Sequence, residues 1–152
     1  MSMGNLPDPA TLATLVSNVT KTMCGFAFGV ADPGLRAKVD CHRMAVLEVT
    51  GGRPWRVALF SDESGCNALG AALMQVEPEM LDESMIEDSL CELLNMAAGQ
   101  IKGLLSADET LGLPKITAPE ELSPQSQKAY RDGILLRSQD SVNLMMWISQ
   151  EQ

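Results

Sequence analysis

One segment restricts the fold more than any other. Residues 82–105 contain no proline and repeat apolar side chains at helical spacing. At 100° per residue, Ile86, Leu90, Leu93, Ala97, Ile101 and Leu104 fall within one arc, and a helix with such an arc must lay it on a sheet or on other helices. Asp82 stands where a cap is needed, with Leu81 and Ile86 placed around it as a hydrophobic staple. The chain is therefore expected to be built around one long, one-sided helix.

The remaining segments predict what that helix packs on. Asp8 and Pro9 form a cap and first-turn pair, Leu12, Leu15, Val16, Val19 and Met23 follow at helical spacing, and Gly25 is a stop. After the turn-rich Asp32, Pro33 and Gly34, residues 42–49 read as a strand, with Met44, Val46 and Glu48 on one face and Ala45, Leu47 and Val49 on the other. Gly51 and Gly52 permit a hairpin into a returning strand at 55–60, with Pro54 confined to its beginning. Residues 61–64 offer caps for a short helix through 74, with Leu69, Leu73 and Val76 toward the core, and Pro78 separates it from the long helix. A polar loop passes Gly112 and Pro114. Residues 119–133 read as a hydrophilic, partly mobile connection, and 134–137 with 142–149 as a closing hairpin. The expected fold class is α/β of the α+β kind, a β-sheet packed with helices, in a single domain over residues 1–152.

Composition removes several functions. The chain is 45% apolar and carries eleven basic against twenty acidic residues, a net charge of −9, which repels nucleic acid and anionic membranes. Cys24, Cys41, Cys66 and Cys91 are widely spaced, without a Cys-x-x-Cys pair and with one histidine in the chain, which argues strongly against a zinc cluster, and buried, reduced thiols are expected. His42 lacks a nucleophile motif nearby and is assigned a structural role. No apolar run is long enough to span a bilayer and no leader pattern opens the sequence, which predicts a soluble, cytoplasmic protein.

The long helix carries an unusual solvent face. Asp88, Glu92, Asn95, Gly99 and Lys102 follow one another in steps of four and three, a polar stripe opposite the apolar arc. Asp88 and Glu92 are like charges one turn apart, costing about 0.2–0.5 kcal/mol, and Gly99 costs about 1 kcal/mol relative to alanine. A solvated helix face is one reading. The other is a docking surface, where glycine lets another molecule approach and Glu92 and Asn95 project beside it. Spacing alone leaves both open.

The stretch from Glu92 to Lys102, with Asp88 one turn before it, resembles the signature helix of the chemotaxis phosphatase family that includes CheX, CheC and FliY. Its pattern is an acidic or Ser residue, three residues, Glu, two residues, Asn, and Asp88, Glu92 and Asn95 satisfy it. The single Glu-x-x-Asn and the Asn, Gly, Lys order resemble the CheX branch, whereas CheC proteins usually carry two signatures. The family's downstream proline often lies a little beyond the position of Pro114. The order of helix, hairpin, helix, signature helix and closing strands is also similar to that family.

The resemblance implies a phosphatase that removes the phosphoryl group from the aspartyl phosphate of a CheY-like response regulator. Glu92 and Asn95 would then be the catalytic pair, Asn95 orienting the attacking water and Glu92 pairing with the regulator's phosphate-site lysine. Asp88, Gly99 and Lys102 would line the docking surface. Magnesium would sit in the regulator, with no metal or cofactor of this chain's own, and the resemblance implies a homodimer. Apolar residues on both faces of 142–149, Met145 and Trp147 among them, suit either burial between two chains or burial under this chain's own helices. Two rivals follow from other classes: a regulator-binding scaffold without hydrolysis, and a small-molecule enzyme using Asp88 and Glu92 as acid and base, which requires a concave pocket.

Overall fold

In a computed structural model of the chain, the described residues are 6–51, 54–105 and 109–150. Helix α1 spans Pro9–Cys24; the Asp8 carboxylate accepts a hydrogen bond from the Thr11 N–H at 2.8 Å. Gly25 ends the helix in the left-handed region at φ 80° and donates its N–H to the Lys21 carbonyl. A short strand β1 (Phe28–Val30) and a 3₁₀ turn (Pro33–Lys38) lead to strands β2 (Arg43–Thr50) and β3 (Trp55–Ser61). Gly51 closes β2, while Gly52 lies outside the described residues. Helix α2 (Glu63–Met74) starts on an Asp62 cap, and α3 (Glu83–Leu105) is the long helix. Strands β4 (Thr110–Leu111) and β5 (Lys115–Ile116), helix α4 (Pro124–Arg131) and the hairpin of β6 (Ile134–Ser138) and β7 (Asn143–Gln150) complete the chain.

The strands form one antiparallel sheet in the order β1-β6-β7-β3-β2-β4, with β5 also on β2. In β2, alternation sends Ala45, Leu47 and Val49 into the main core beneath α1, α2 and α3, and Met44 and Val46 into a second cluster on the opposite face. Trp55, Val57 and Leu59 of β3 join the first set; Ala58 and Phe60 join the second. The second face is roofed by the 3₁₀ turn and α4. Arg36 stacks its guanidinium 5.2 Å from the Phe60 ring and 5.3 Å from that of Tyr130, and donates to the Tyr130 carbonyl.

This two-sided burial explains β7. Leu144 and Met146 enter the main core, Met145 and Trp147 the second cluster, and the Trp147 indole N–H reaches the Met44 sulfur. Burial under the chain's own elements accounts for both faces, so β7 offers no apolar face to a second copy. Any homodimer must use another surface.

Three further expectations are corrected. Residues 119–133 are ordered by a 3₁₀ turn (Pro119–Glu121) and by α4, whose Ser123 hydroxyl caps the Ser126 N–H. Leu104 is 51% exposed although it points the same way as Ile86, so the last turn of α3 outruns the elements that cover the rest of its arc. Of the four free cysteines only Cys66 is fully buried; Cys24, Cys41 and Cys91 are half-buried. Among the described residues, no helix is long and apolar enough to cross a membrane.

Candidate functional site

Helix α3 is fixed at its start and along one side. The Asp82 carboxylate accepts from the Met85 N–H at 2.9 Å. Leu81 and Ile86 close on the same point of α2: a Cβ at Gly70 would stand 3.2 Å from Leu81 Cδ1 and 3.3 Å from Ile86 Cγ1. The staple therefore forms, and Gly70 lets the two helices approach. Arg43 of β2 bridges Glu83 at 3.1 Å and Glu87 at 3.4 Å, and His42 meets Glu83 at 3.1 Å, which gives the lone histidine the structural role expected of it. Leu90, Leu93, Leu94, Ala97, Ala98 and Ile101 are buried.

With that side sealed, the opposite side has to face outward. Asp88, Glu92, Asn95 and Gly99 are exposed, and Lys102, at the same helical phase, is half-buried. The rigid helix thus brings all five to one flank, with Glu92 and Asn95 separated by about 4.5 Å of axial rise. Among the described residues, the side chains of Asp88, Glu92, Asn95 and Lys102 make no hydrogen bond or ion pair. Acids elsewhere on α3 differ: Glu83 and Glu87 are paired with Arg43. The Glu92 carboxylate and the Asn95 carboxamide, further along the helix, have no such partner among the described residues.

Gly99 is not required by the fold. The nearest atom that a Cβ there would meet is Leu111 Cδ1, at 4.0 Å, an ordinary contact. Cys91 lies on the same helix, half-buried, and burial pushes its thiol pKa up, with Asp88 and Glu87 adding to the effect. It is a poor nucleophile.

The flank is not a pocket. Clefts of about 400 Å³ between the N-terminal segment, α4 and β7, and about 750 Å³ beside His42, Arg43 and Thr117, lie elsewhere; Asp88, Glu92 and Asn95 line neither. Among the described residues no group of three or more His, Cys, Asp and Glu side chains could hold a metal. A carboxylate and an amide exposed on the outer flank of a packed helix, outside both described clefts, suit entry into a cleft that another macromolecule supplies. The small-molecule reading, which pairs Asp88 with Glu92, finds no support in either described cleft.

Sequence reasoning missed the apolar company of this stripe. Met96, between Glu92 and Gly99 on the same side, is 38% exposed, and Leu113, in the turn joining β4 to β5, is 81% exposed. Met96 could have been found from its helical phase. The proximity of Leu111 to Gly99 is a tertiary contact without a local signal.

The sequence model of the chemotaxis phosphatase CheX family matches residues 43–134, more than half of the chain and all of α3. The chain belongs to the CheX family. No curated protein sequence matches it. Among solved structures, it is similar to the chemotaxis protein CheX from Vibrio vulnificus, at 15% identity over 99% of both chains with a TM-score of 0.71. A CheC-like superfamily protein from Shewanella sp. PV-4 is similar at 18% identity, over 93% of this chain and 95% of that one, with a TM-score of 0.64. The CheX of Borrelia burgdorferi, solved as a CheX–CheY–BeF3–Mg complex, covers 95% of this chain and 99% of its own at 13% identity and a TM-score of 0.65. These likenesses establish the CheX/CheC-like fold, four α-helices with one antiparallel sheet.

Proposed function

We propose that this CheX-family protein hydrolyses the aspartyl phosphate of a CheY-like response regulator, placing Glu92 and Asn95 in the regulator's active site, and that residues 1–152 form one such domain. The observation that carries the reading is the outward, unpaired presentation of both side chains on α3, apart from the two clefts beside α4 and β7 and beside His42 and Arg43. The Borrelia burgdorferi complex, with beryllofluoride and magnesium bound, supports a receiver as the partner class and magnesium as the partner's ion.

The chemistry follows from what the two groups are. Hydrolysis requires a water in line with the phosphorus–oxygen bond to the aspartate, and stabilisation of charge on the phosphoryl oxygens as that bond breaks. The Asn95 amide accepts from and donates to such a water, and it is neutral, so it aligns the nucleophile without repelling the phosphoryl group. A carboxylate at that position would repel it. Glu92, one turn earlier, takes the ammonium of the regulator's phosphate-site lysine and fixes the docked register. Asp88, Gly99 and Lys102 extend the contact on either side, Gly99 by offering no side chain. A homodimer built through a surface other than β7 completes the proposal; sedimentation equilibrium reads it directly.

The test is phosphate release from a phosphorylated CheY-like receiver. The unsubstituted chain accelerates it, and the Glu92→Ala, Asn95→Ala double variant does not. A chain that binds the receiver but leaves its rate of phosphate loss unchanged is a scaffold, and the proposal is wrong.

A further inference from the structure

We infer that Leu113 is a fixed apolar anchor that seats in a hydrophobic depression of the receiver beside its phosphorylation site, and so sets how tightly the receiver is held. The inference rests on the reading of α3 given above and adds a second, chemically different contact to it.

A lone exposed leucine has no meaning by itself. Leu113 is distinguished by exposure, rigidity and place. At 81% it is the most exposed large apolar side chain among the described residues. It is held there by backbone, because β4 before it and β5 after it both pair with β2, through Val49 opposite Leu111 and Val46 opposite Lys115. Between them the Gly112 N–H donates to the Glu48 carbonyl at 2.8 Å, and a Cβ on Gly112 would stand only 2.7 Å from that oxygen. Glycine is what lets the turn lie against β2. Pro114 fixes the next φ, so the leucine is presented on a turn that loses little freedom on binding.

Its place ties it to the catalytic stripe. Leu111, two residues back, lies 4.0 Å from the Cβ position of Gly99, and two residues span at most about 7 Å. The β4–β5 turn thus begins beside Gly99, at the edge of the flank that carries Glu92 and Asn95, within reach of a macromolecule docked there. Met96, exposed next to Asn95, adds a second apolar side chain to the same flank, and apolar anchors beside polar groups are the composition of a protein–protein hot spot. A partner that must admit Asn95 to its phosphoryl group is the occupant that continuity dictates.

The experiment measures steady-state phosphate release by the full chain from a phosphorylated CheY-like receiver, comparing Leu113→Ser with Leu113→Met and with the unsubstituted protein. Leu113→Ser should raise KM on the order of tenfold or more and leave kcat within about twofold, while Leu113→Met stays close to the unsubstituted protein. The melting temperature should not move, since the side chain is in solvent. Normal acceleration with an unchanged KM in Leu113→Ser overturns this inference alone. Loss of self-association in that variant, seen by sedimentation equilibrium, with unchanged receiver affinity, makes the occupant a second copy of this chain and overturns it too. No acceleration by the unsubstituted chain overturns the reading of α3 and this inference with it.

Discussion

Replacing Gly99 by alanine should make the protein more stable and a poorer catalyst. Glycine inside a helix costs about 1 kcal/mol relative to alanine, because it gives up more backbone freedom on folding. At Gly99 nothing in the fold offsets that cost: the new methyl would meet only Leu111 Cδ1 at 4.0 Å, which is contact without overlap. The gain should thus approach the full propensity difference, and for a domain of this size about 1 kcal/mol raises the melting temperature by about 2–4 °C. The functional cost arises outside the chain. The methyl projects from the same flank as Glu92 and Asn95, one turn beyond Asn95, where the proposed receiver contact lies. A displacement on the order of 1 Å at the reacting atoms is enough to cost about a hundredfold, so a fall of about tenfold in kcat/KM is a modest expectation. Gly103 is the internal control. A Cβ there would have nothing within 4 Å, so Gly103→Ala should stabilise by a smaller amount, being close to the helix end; it stands one turn beyond Gly99 on the same flank, so it is a control for stability and not for turnover. Melting curves and receiver dephosphorylation on the two variants give the answer. A destabilised Gly99→Ala would refute the open-space reasoning; a stabilised variant with full activity would refute the docking role.

Other outcomes are as definite. Glu92→Ala should raise KM for the phosphorylated receiver more than it lowers kcat, and an unchanged KM would remove its anchoring role. Gly65→Ala should destabilise by about 1–3 kcal/mol in urea unfolding, because the new Cβ would overlap Ser61 Oγ and stand 2.7 Å from the Asn143 carbonyl; an unchanged midpoint would mean that the α2 start yields freely. Burial pushes the Cys66 thiol up to about 12, so at pH 8 only about one molecule in ten thousand carries the thiolate, and iodoacetamide should label Cys66 only after unfolding. The unfolded thiol gives up its proton first, near 9.0, so this group's contribution to stability falls as pH rises above about 9. Rapid native labelling of Cys66, or stability flat from pH 8 to 10, would contradict this account of its burial.

The elements legible from sequence are those whose determinants are local. The Asp8–Pro9 start and Gly25 stop of α1, the Asp82 cap and apolar arc of α3, and the alternation in β2 each lie within a few residues, and each forms as expected. The two-residue strands β4 and β5 and the three-residue β1 are too short to carry a period and exist through pairing with distant partners. Helix α4 was hidden for a related reason: most of its side chains are polar, and its place is set by the second core, whose buried residues come from β2, β3, β6, β7 and Val39 after the 3₁₀ turn. Of the candidate site, the stripe could be read because a helix fixes the relative direction of its side chains whatever it packs on. Its flanking contact could not, since Leu111 reaches Gly99 through the pairing of β4 with β2 rather than through any pattern in the chain.

The proposed function turns on one side chain, the Asn95 amide on the outside of α3, acting inside another protein's phosphorylation site. The most direct measurement is single-turnover loss of phosphate from a receiver saturated with this protein, comparing the unsubstituted chain with Asn95→Ala. Removing one positioned polar group should lower the saturated rate about a hundredfold or more, while affinity for the beryllofluoride-loaded receiver stays within a few-fold, as Asn95 is exposed and supports no part of the fold. A saturated rate that Asn95→Ala leaves intact would contradict the account.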